Sequence, residues 1–381
     1  MLQPLPWANH PRKQQLGLHH SRDSMPATGA TAAAGPPAAE DGGHATRVLG
    51  SLLGAVSGDT LGSAVEGWDW RRIRSEFPDA LTLFQDARMG LGTYTDDTQM
   101  TLALARSLVR KGKCDSADAA YMYAQAFQPE RGYGRAAAQV LFALRAGADH
   151  RATATASFPE GSFANGGAMR IAPVGLAYRN ASPAVLEQAV REALLCTHVH
   201  PEGVDGAFIQ AAAVAALARS TPAGSGPAGS PAALLTLLTP LANTKSMRDK
   251  LLHLADSLPH ASSPRQAGNW EGITDSPDWQ FDNQVLNAIA APFQIPATEA
   301  VGCALWAVCR HWNDPVGCIV GAVHMGGDTD TIAAMAGAMA GALHGSSWLP
   351  AEWWDNLENG ADGRDTIVEV ARELSKLDVT A

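Results

Sequence analysis

Glycine recurs at every fourth position from Gly50 through Gly54 and Gly58 to Gly62. Residues four apart share one face of a helix, so this spacing predicts a stripe bare of side chains. Far downstream, Ala333, Gly337 and Gly341 repeat the interval, with Ala334, Ala338 and Ala342 beside them. Glycine costs a helix interior roughly 0.8–1 kcal/mol against alanine, and close approach of two backbones is the natural compensation. The two segments are expected to form central, tightly packed helices, most simply against each other. A turn-rich stretch without helix between Ser57 and Gly67 is the competing reading.

Such packing would bring Asp59 and Glu66 near a second acidic run, Gly326-Gly327-Asp328-Thr329-Asp330-Thr331, and a third lies at Thr95-Asp96-Asp97-Thr98. Both threonine-flanked runs open apolar segments that read as helices. The helix dipole favours an acid in a first turn by roughly 0.3–1 kcal/mol, which accounts for one aspartate each, not for pairs. Four carboxylates meeting in one place would repel, and a divalent cation is the usual remedy. Ligation by Asp and Thr oxygens suits a hard ion such as magnesium.

The formal charge of −10 over 381 residues argues against nonspecific binding to nucleic acid or to an anionic membrane. A phosphate-bearing small ligand stays open, because helix N-termini and backbone amides hold phosphate without a basic patch. Cys114, Cys196, Cys303, Cys309 and Cys318 are scattered and odd in number, the pattern of reduced thiols in an intracellular protein. No apolar run approaches the ~20 residues of a membrane span.

Residues 1–45 are rich in Pro, Gly, Ala, Ser and His with no apolar period, and read as a disordered extension. Arg12, Lys13 and Arg22 with few acids also fit an organellar targeting segment, and Met25 offers an alternative start. From Thr46 to Ala381 one domain is expected. Apolar residues at three-to-four spacing predict helices over 118–128, 134–148, 183–196, 204–219, 297–310 and 366–377. No long alternating run suggests a strand, so the fold class is all-α. The stretches 221–231 and 259–282 read as loops.

Three loop motifs bear on binding. Gly224-Ser225-Gly226-Pro227-Ala228-Gly229 matches a dinucleotide fingerprint by letter, but it follows a helix and contains proline, so it reads as a linker. His198-Val199-His200 offers a zinc pair only if a strand lies beneath it; Pro201 suggests instead a loop after a helix, with a histidine available to a ligand. Gly161-Ser162-Phe163-Ala164-Asn165-Gly166-Gly167 exposes backbone N–H groups suited to a diphosphate, with Phe163 able to stack on a flat ring and a helix starting after Gly167. Arg131-Gly132-Tyr133-Gly134 is a smaller version. Trp306, Trp312, Trp348, Trp353 and Trp354 lie in helical context and read as packing residues.

Taken in order, Gly54–Glu66, Tyr94–Met100, Arg131–Gly134, Asn165–Pro173, Thr197-His198 and Gly326–Ala333 resemble the ADP-ribosylglycohydrolase family over nearly the whole chain past the extension. The resemblance implies an orthogonal helical bundle with a binuclear magnesium centre in a cleft. It implies Thr95, Asp96, Asp97, Asp328, Asp330 and Thr331 as metal ligands, and Glu66 or Asp97 as the proton-transfer group. Gly132, Ser162, Phe163, Asn165, Gly166 and His198 match positions that line the ADP-ribose pocket. The implied reaction is hydrolysis at the ribose anomeric carbon, through an oxocarbenium-like transition state, on ADP-ribosylated proteins or small ADP-ribose conjugates. A catalytically silent ADP-ribose reader on the same fold is the rival. The expected setting is intracellular, cytoplasmic or nuclear unless residues 1–45 direct it to an organelle, and the default state is a monomer. Gly161-Ser162-Phe163-Ala164-Asn165 departs from the Gly-Ser-Tyr-Gly-Asn loop of animal members, which leaves the acceptor open among serine, arginine and O-acetyl linkages.

Overall fold

The computed structural model describes residues 43–77, 87–261 and 277–381, all within one compact unit, Ala34–Ala381. Most of the expected extension, residues 1–42, lies outside the described residues. The described residues form sixteen α-helices. They are α1 (His44–Ser63), α2 (Trp70–Glu76), α3 (Asp96–Lys111), α4 (Ser116–Ala126), α5 (Arg135–Arg145) and α6 (Ala172–Ala177). Next come α7 (Pro183–Leu194), α8 (Pro201–Leu217), α9 (Pro231–Leu238), α10 (Lys245–Ser257) and α11 (Pro277–Ile289). The last are α12 (Ala297–Arg310), α13 (Pro315–Val323), α14 (Thr329–His344), α15 (Ala351–Asn356) and α16 (Arg364–Ser375). Among the described residues there is no sheet, only an isolated antiparallel bridge between Ala164 and Pro296. The fold is all-α.

The glycine stripe does what its spacing predicts. α1 and α14 run antiparallel with their backbones in contact. A Cβ placed on Gly54 would lie 2.0 Å from the Gly337 carbonyl oxygen, and one on Gly58 2.1 Å from that of Ala333. At the ends of the seam, Gly50 faces Gly341 and Gly345, and Gly62 faces Thr329 and Asp330. Because α1 continues to Ser63, the helix-free alternative for this stretch is excluded up to that residue. α8, α12 and α13 pack around α14, so the seam is the centre of the molecule. Its function is positional: it fixes the end of α1, with Asp59 and Glu66, against the start of α14.

Two local expectations change. α11 begins at Pro277, inside the stretch 259–282 that reads as loop by composition; residues 262–276 of that stretch lie outside the described residues. The helix expected directly after Gly167 begins later, at Ala172, following a 3-10 turn over Asn165–Gly167. The tryptophans named above are buried, Trp348 only partly.

Candidate functional site

The acidic floor is organised around Asp59 of α1, which is fully buried. Its two carboxylate oxygens accept the Thr95 N–H at 2.9 and 3.1 Å. One of them also accepts the Thr98 N–H at 2.9 Å and the Thr98 hydroxyl at 2.6 Å. The first N–H groups of a helix lack partners within it, and at α3 Asp59 satisfies them from another helix. That contact pins the start of α3, so Asp96 and Asp97 are held by a residue 37 and 38 positions upstream. Thr95 is the N-cap, its side-chain oxygen accepting the Asp97 N–H at 3.4 Å.

The opposing wall is the start of α14. Asp328 precedes the helix, and its N–H donates to Gln294 Oε1 at 3.0 Å. The Asn165 amide donates to Asp328 Oδ2 at 2.6 Å and to the Gln294 carbonyl at 3.0 Å. Asp330 Oδ1 accepts the Thr331 N–H at 2.9 Å. The two distant acidic runs meet at Asp97 Oδ2, which accepts the Thr331 hydroxyl at 3.4 Å and the Thr95 hydroxyl at 3.3 Å. Oxygens of Glu66, Asp328 and Asp330 lie within 4.8 Å of one another.

Burial of so many carboxylates side by side makes this cluster electrostatically costly. Desolvation, then neighbouring carboxylates, push Asp97 and Asp330 well above the usual carboxylate range. Asp96 is pushed up to about 8, first by burial and then by Asp59 and Glu66. Glu66, Asp328 and Asp59 are raised as well, each chiefly by burial. Asp97 Oδ1 is buried with no hydrogen-bond partner. A buried, bare carboxylate oxygen amid raised acids, with only oxygen donors around it, fits a hard divalent cation. His198 and His200 join no such ligand group among the described residues.

The rim connects the predicted ligand-binding residues to this floor. Arg88 Nη1 donates to Glu66 Oε2 at 2.7 Å, and its guanidinium crosses Gly132, where φ is +100°. Gly161–Gly167 packs on the start of α8, where His200 is the N-cap and Pro201 the first helical residue; Pro201 opens a helix here. Gly166 lies against the His198 ring. Phe163 is 47% exposed with its ring edge-to-face to His200 at 5.9 Å. Ser162 Oγ accepts the Ala164 N–H at 3.2 Å. His198 Nδ1 pairs with Thr197 Oγ1 at 2.9 Å, and burial followed by Arg170 lowers its pKa to about 3, so the ring is neutral.

Several supporting contacts escape a reading of the sequence. Arg170, buried, donates to the Gly166 carbonyl and to Thr197 Oγ1, locking the two rim loops together. Arg131 pairs with Glu358 and donates to the Tyr94 carbonyl at 2.7 Å, bracing the approach to α3. Gln99 Oε1 accepts the Tyr133 hydroxyl at 2.7 Å and the Gln128 N–H at 3.0 Å. Asp59 carries one legible signal, its place at the end of the glycine stripe; Gln294 and Arg88 carry none.

Fold and donor set define an all-helical protein with an oxygen-lined acidic centre. The profile of the ADP-ribosylglycohydrolase family matches residues 41–381, and the chain belongs to that family, an enzyme of the glycohydrolase class. It is 31% identical to bovine ADP-ribosylhydrolase ARH3 (Bos taurus) over 369 residues, spanning 91% of this chain and 97% of the bovine protein. It is 28% identical to the ADP-ribosyl-[dinitrogen reductase] glycohydrolase of Rhodospirillum rubrum, over 82% of this chain and 90% of that protein. A solved structure titled ADP-ribosylglycohydrolase-related protein complex superposes with a TM-score of 0.64 at 26% identity, over 88% of this chain and 99% of the other. No helix among the described residues is long and apolar enough to cross a membrane.

Proposed function

We propose that the chain is a magnesium-dependent hydrolase that cleaves at the anomeric carbon of ADP-ribose in an ADP-ribosylated protein or small conjugate and releases free ADP-ribose. The observation that carries this reading is the meeting of Glu66, Asp328 and Asp330 within 4.8 Å, beside the unpartnered Asp97 oxygen. The names of the relatives point to the same substrate half.

Thr95, Asp96, Asp97, Asp328, Asp330 and Thr331 would hold two magnesium ions. Bound there, they would supply Lewis acidity toward ribose oxygens and toward the attacking water. Asp97 is enclosed by Thr95 and Thr331, which suits holding more than shuttling. Glu66, with a side chain 19% exposed, reaches the open side of the floor and is the better candidate to take or deliver the proton. Both N–H bonds of the Asn165 amide go to Gln294 and Asp328, so Asn165 orients a ligand of the floor as well as lining the rim. Phe163 offers an exposed ring face for a base, and the amides of 161–167 other than those of Gly161, Ala164 and Asn165, which bond within the protein, would be the donors for phosphate oxygens. His198, held neutral, contributes hydrogen bonding and no charge.

The test is chromatographic detection of free ADP-ribose from serine-linked, arginine-linked and O-acetyl substrates, each with magnesium or with EDTA. Magnesium-dependent release from at least one is the expected result. A folded protein that binds ADP-ribose yet releases none from any substrate would instead be a reader.

A further inference from the structure

Hydrolysis breaks the bond from the ribose anomeric carbon to the acceptor and forms one to water oxygen, one water proton ending on the departing acceptor. The group that handles this proton must stand beside the acceptor. If Glu66 is that group, whatever is bound to Glu66 also faces the acceptor. That residue is Arg88.

Arg88 is fixed at both ends to the same segment. Its backbone N–H donates to Ser63 Oγ at 3.2 Å, and its side chain returns to Glu66 at 2.7 Å. Gly132 gives it room: a Cβ there would sit 3.1 Å from Nη1 and 3.3 Å from the guanidinium carbon. A guanidinium carries five N–H donors in a planar fork. Among the described residues the Arg88 side chain makes one hydrogen bond, to Glu66, and it is 39% exposed, so it has N–H groups left for an acceptor. Arg131, also near this rim, is spent on Glu358, Gln128 and the Tyr94 carbonyl.

This arrangement inverts the charge that the acceptor meets. A bare Glu66 would be a ready partner for an acceptor guanidinium, since carboxylates and guanidinium groups pair through two parallel bonds. Here that carboxylate is already paired, and the group turned outward is a cation. A guanidinium-linked acceptor brings a like charge against Arg88, which is disfavoured. A neutral or anionic oxygen-linked acceptor brings lone pairs that the free N–H fork can bind.

Resting on the hydrolase reading above, we infer that Arg88 is a specificity-determining residue that directs the enzyme to oxygen-linked, uncharged or anionic acceptors and away from arginine-linked ones.

The experiment compares kcat/KM for serine-linked and arginine-linked ADP-ribose on peptides of otherwise identical sequence. The ratio within one protein cancels any general loss from disturbing Glu66. The wild type should prefer the serine linkage by about tenfold or more. Arg88→Gln should shrink that ratio by about tenfold, while Arg88→Lys, which keeps the charge, should retain most of it. The wild-type preference should also narrow as ionic strength rises, because a half-exposed charge is screened. That salt series decides the matter if Arg88→Gln is inactive on both peptides. Equal or better cleavage of the arginine linkage by the wild type would overturn the inference. So would an unchanged ratio in Arg88→Gln, or a ratio insensitive to salt. Release from neither peptide, nor from O-acetyl-ADP-ribose, would instead remove the hydrolase reading and this inference with it.

Discussion

The acidic floor and the rim above it are built on opposite principles. The floor belongs to the end of α1 and the starts of α3 and α14, and α1 meets α14 across a seam where backbone touches backbone. Asp59, Asp97 and Asp330 are buried there and accept hydrogen bonds from N–H and hydroxyl groups of Thr95, Thr98 and Thr331. The rim belongs to loops, 88–92, 131–134 and 161–167, carrying exposed Met89, Leu91 and Phe163. A floor packed backbone against backbone suits the step common to every substrate of such an enzyme. Loops held only at a few points suit the part that differs between substrates.

The sharpest way to break this contrast is at the floor. Asp330→Ala or Asp97→Ala should lower turnover by roughly 10³-fold or more, since each removes an oxygen ligand from the proposed metal centre. Circular dichroism should stay native, because each variant also relieves a buried acid whose pKa burial drives up. Near wild-type turnover in either purified variant would end the metal reading. The seam should fail differently. Gly337→Val places a branched side chain where even a Cβ lies 2.1 Å from the Gly54 carbonyl oxygen. Neither backbone can give way easily, so a loss of about 3 kcal/mol or more in chemical denaturation is expected. Gly360→Ala, with open space around it, serves as the control and should be nearly neutral.

These two regions were unequally legible in the sequence. The seam was readable because its signal is local and periodic: four glycines at one interval leave few structural explanations. The acidic runs were readable because paired aspartates have no cheap structural role. What could not be read was pairing over distance. Arg88 and Glu66 are 22 residues apart, and Asn165 and Asp328 are 163 apart. Nothing in either neighbourhood announces the partner. Asn165 reads as a ligand-binding residue and proves also to be tied to the floor. The start of α11 is not legible because Pro277 and its polar flank resemble a loop, although its later apolar residues, Val285, Leu286 and Ile289, are buried.

At the rim the expected effects are smaller. Phe163 is exposed and touches His200 edge-on, so its removal should leave the fold intact. Stacking of a base on an aromatic ring contributes about 1–3 kcal/mol, and an exposed ring belongs near the lower end. Phe163→Ala should therefore raise KM for an ADP-ribosylated peptide by about tenfold, with kcat little changed. A large fall in kcat with constant KM would move Phe163 from the rim to the chemistry and blur the contrast drawn above.

The smallest effect concerns the metal-free protein, and its sign can be worked out. The acids of the floor have native pKa values above their unfolded ones, with Asp96 at about 8. Between the two values the native state binds more protons than the unfolded chain, so stability falls as pH rises through that window. Buried histidines act in the other direction. His198 and His324 are lowered to about 3 and His311 to about 4. The unfolded chain takes up protons at these positions below its own pKa of about 6.5, so stability falls as pH drops beneath that point. In EDTA, thermal stability should therefore decline as pH rises from about 6.5 toward 8, where these histidines no longer titrate and the floor acids still do. Magnesium should flatten the upper limb, because ligands that bind a cation as carboxylates stop favouring the protonated native state. An upper limb that is already flat in EDTA would mean the floor acids ionise freely without a cation. The electrostatic case for a metal there would then be lost.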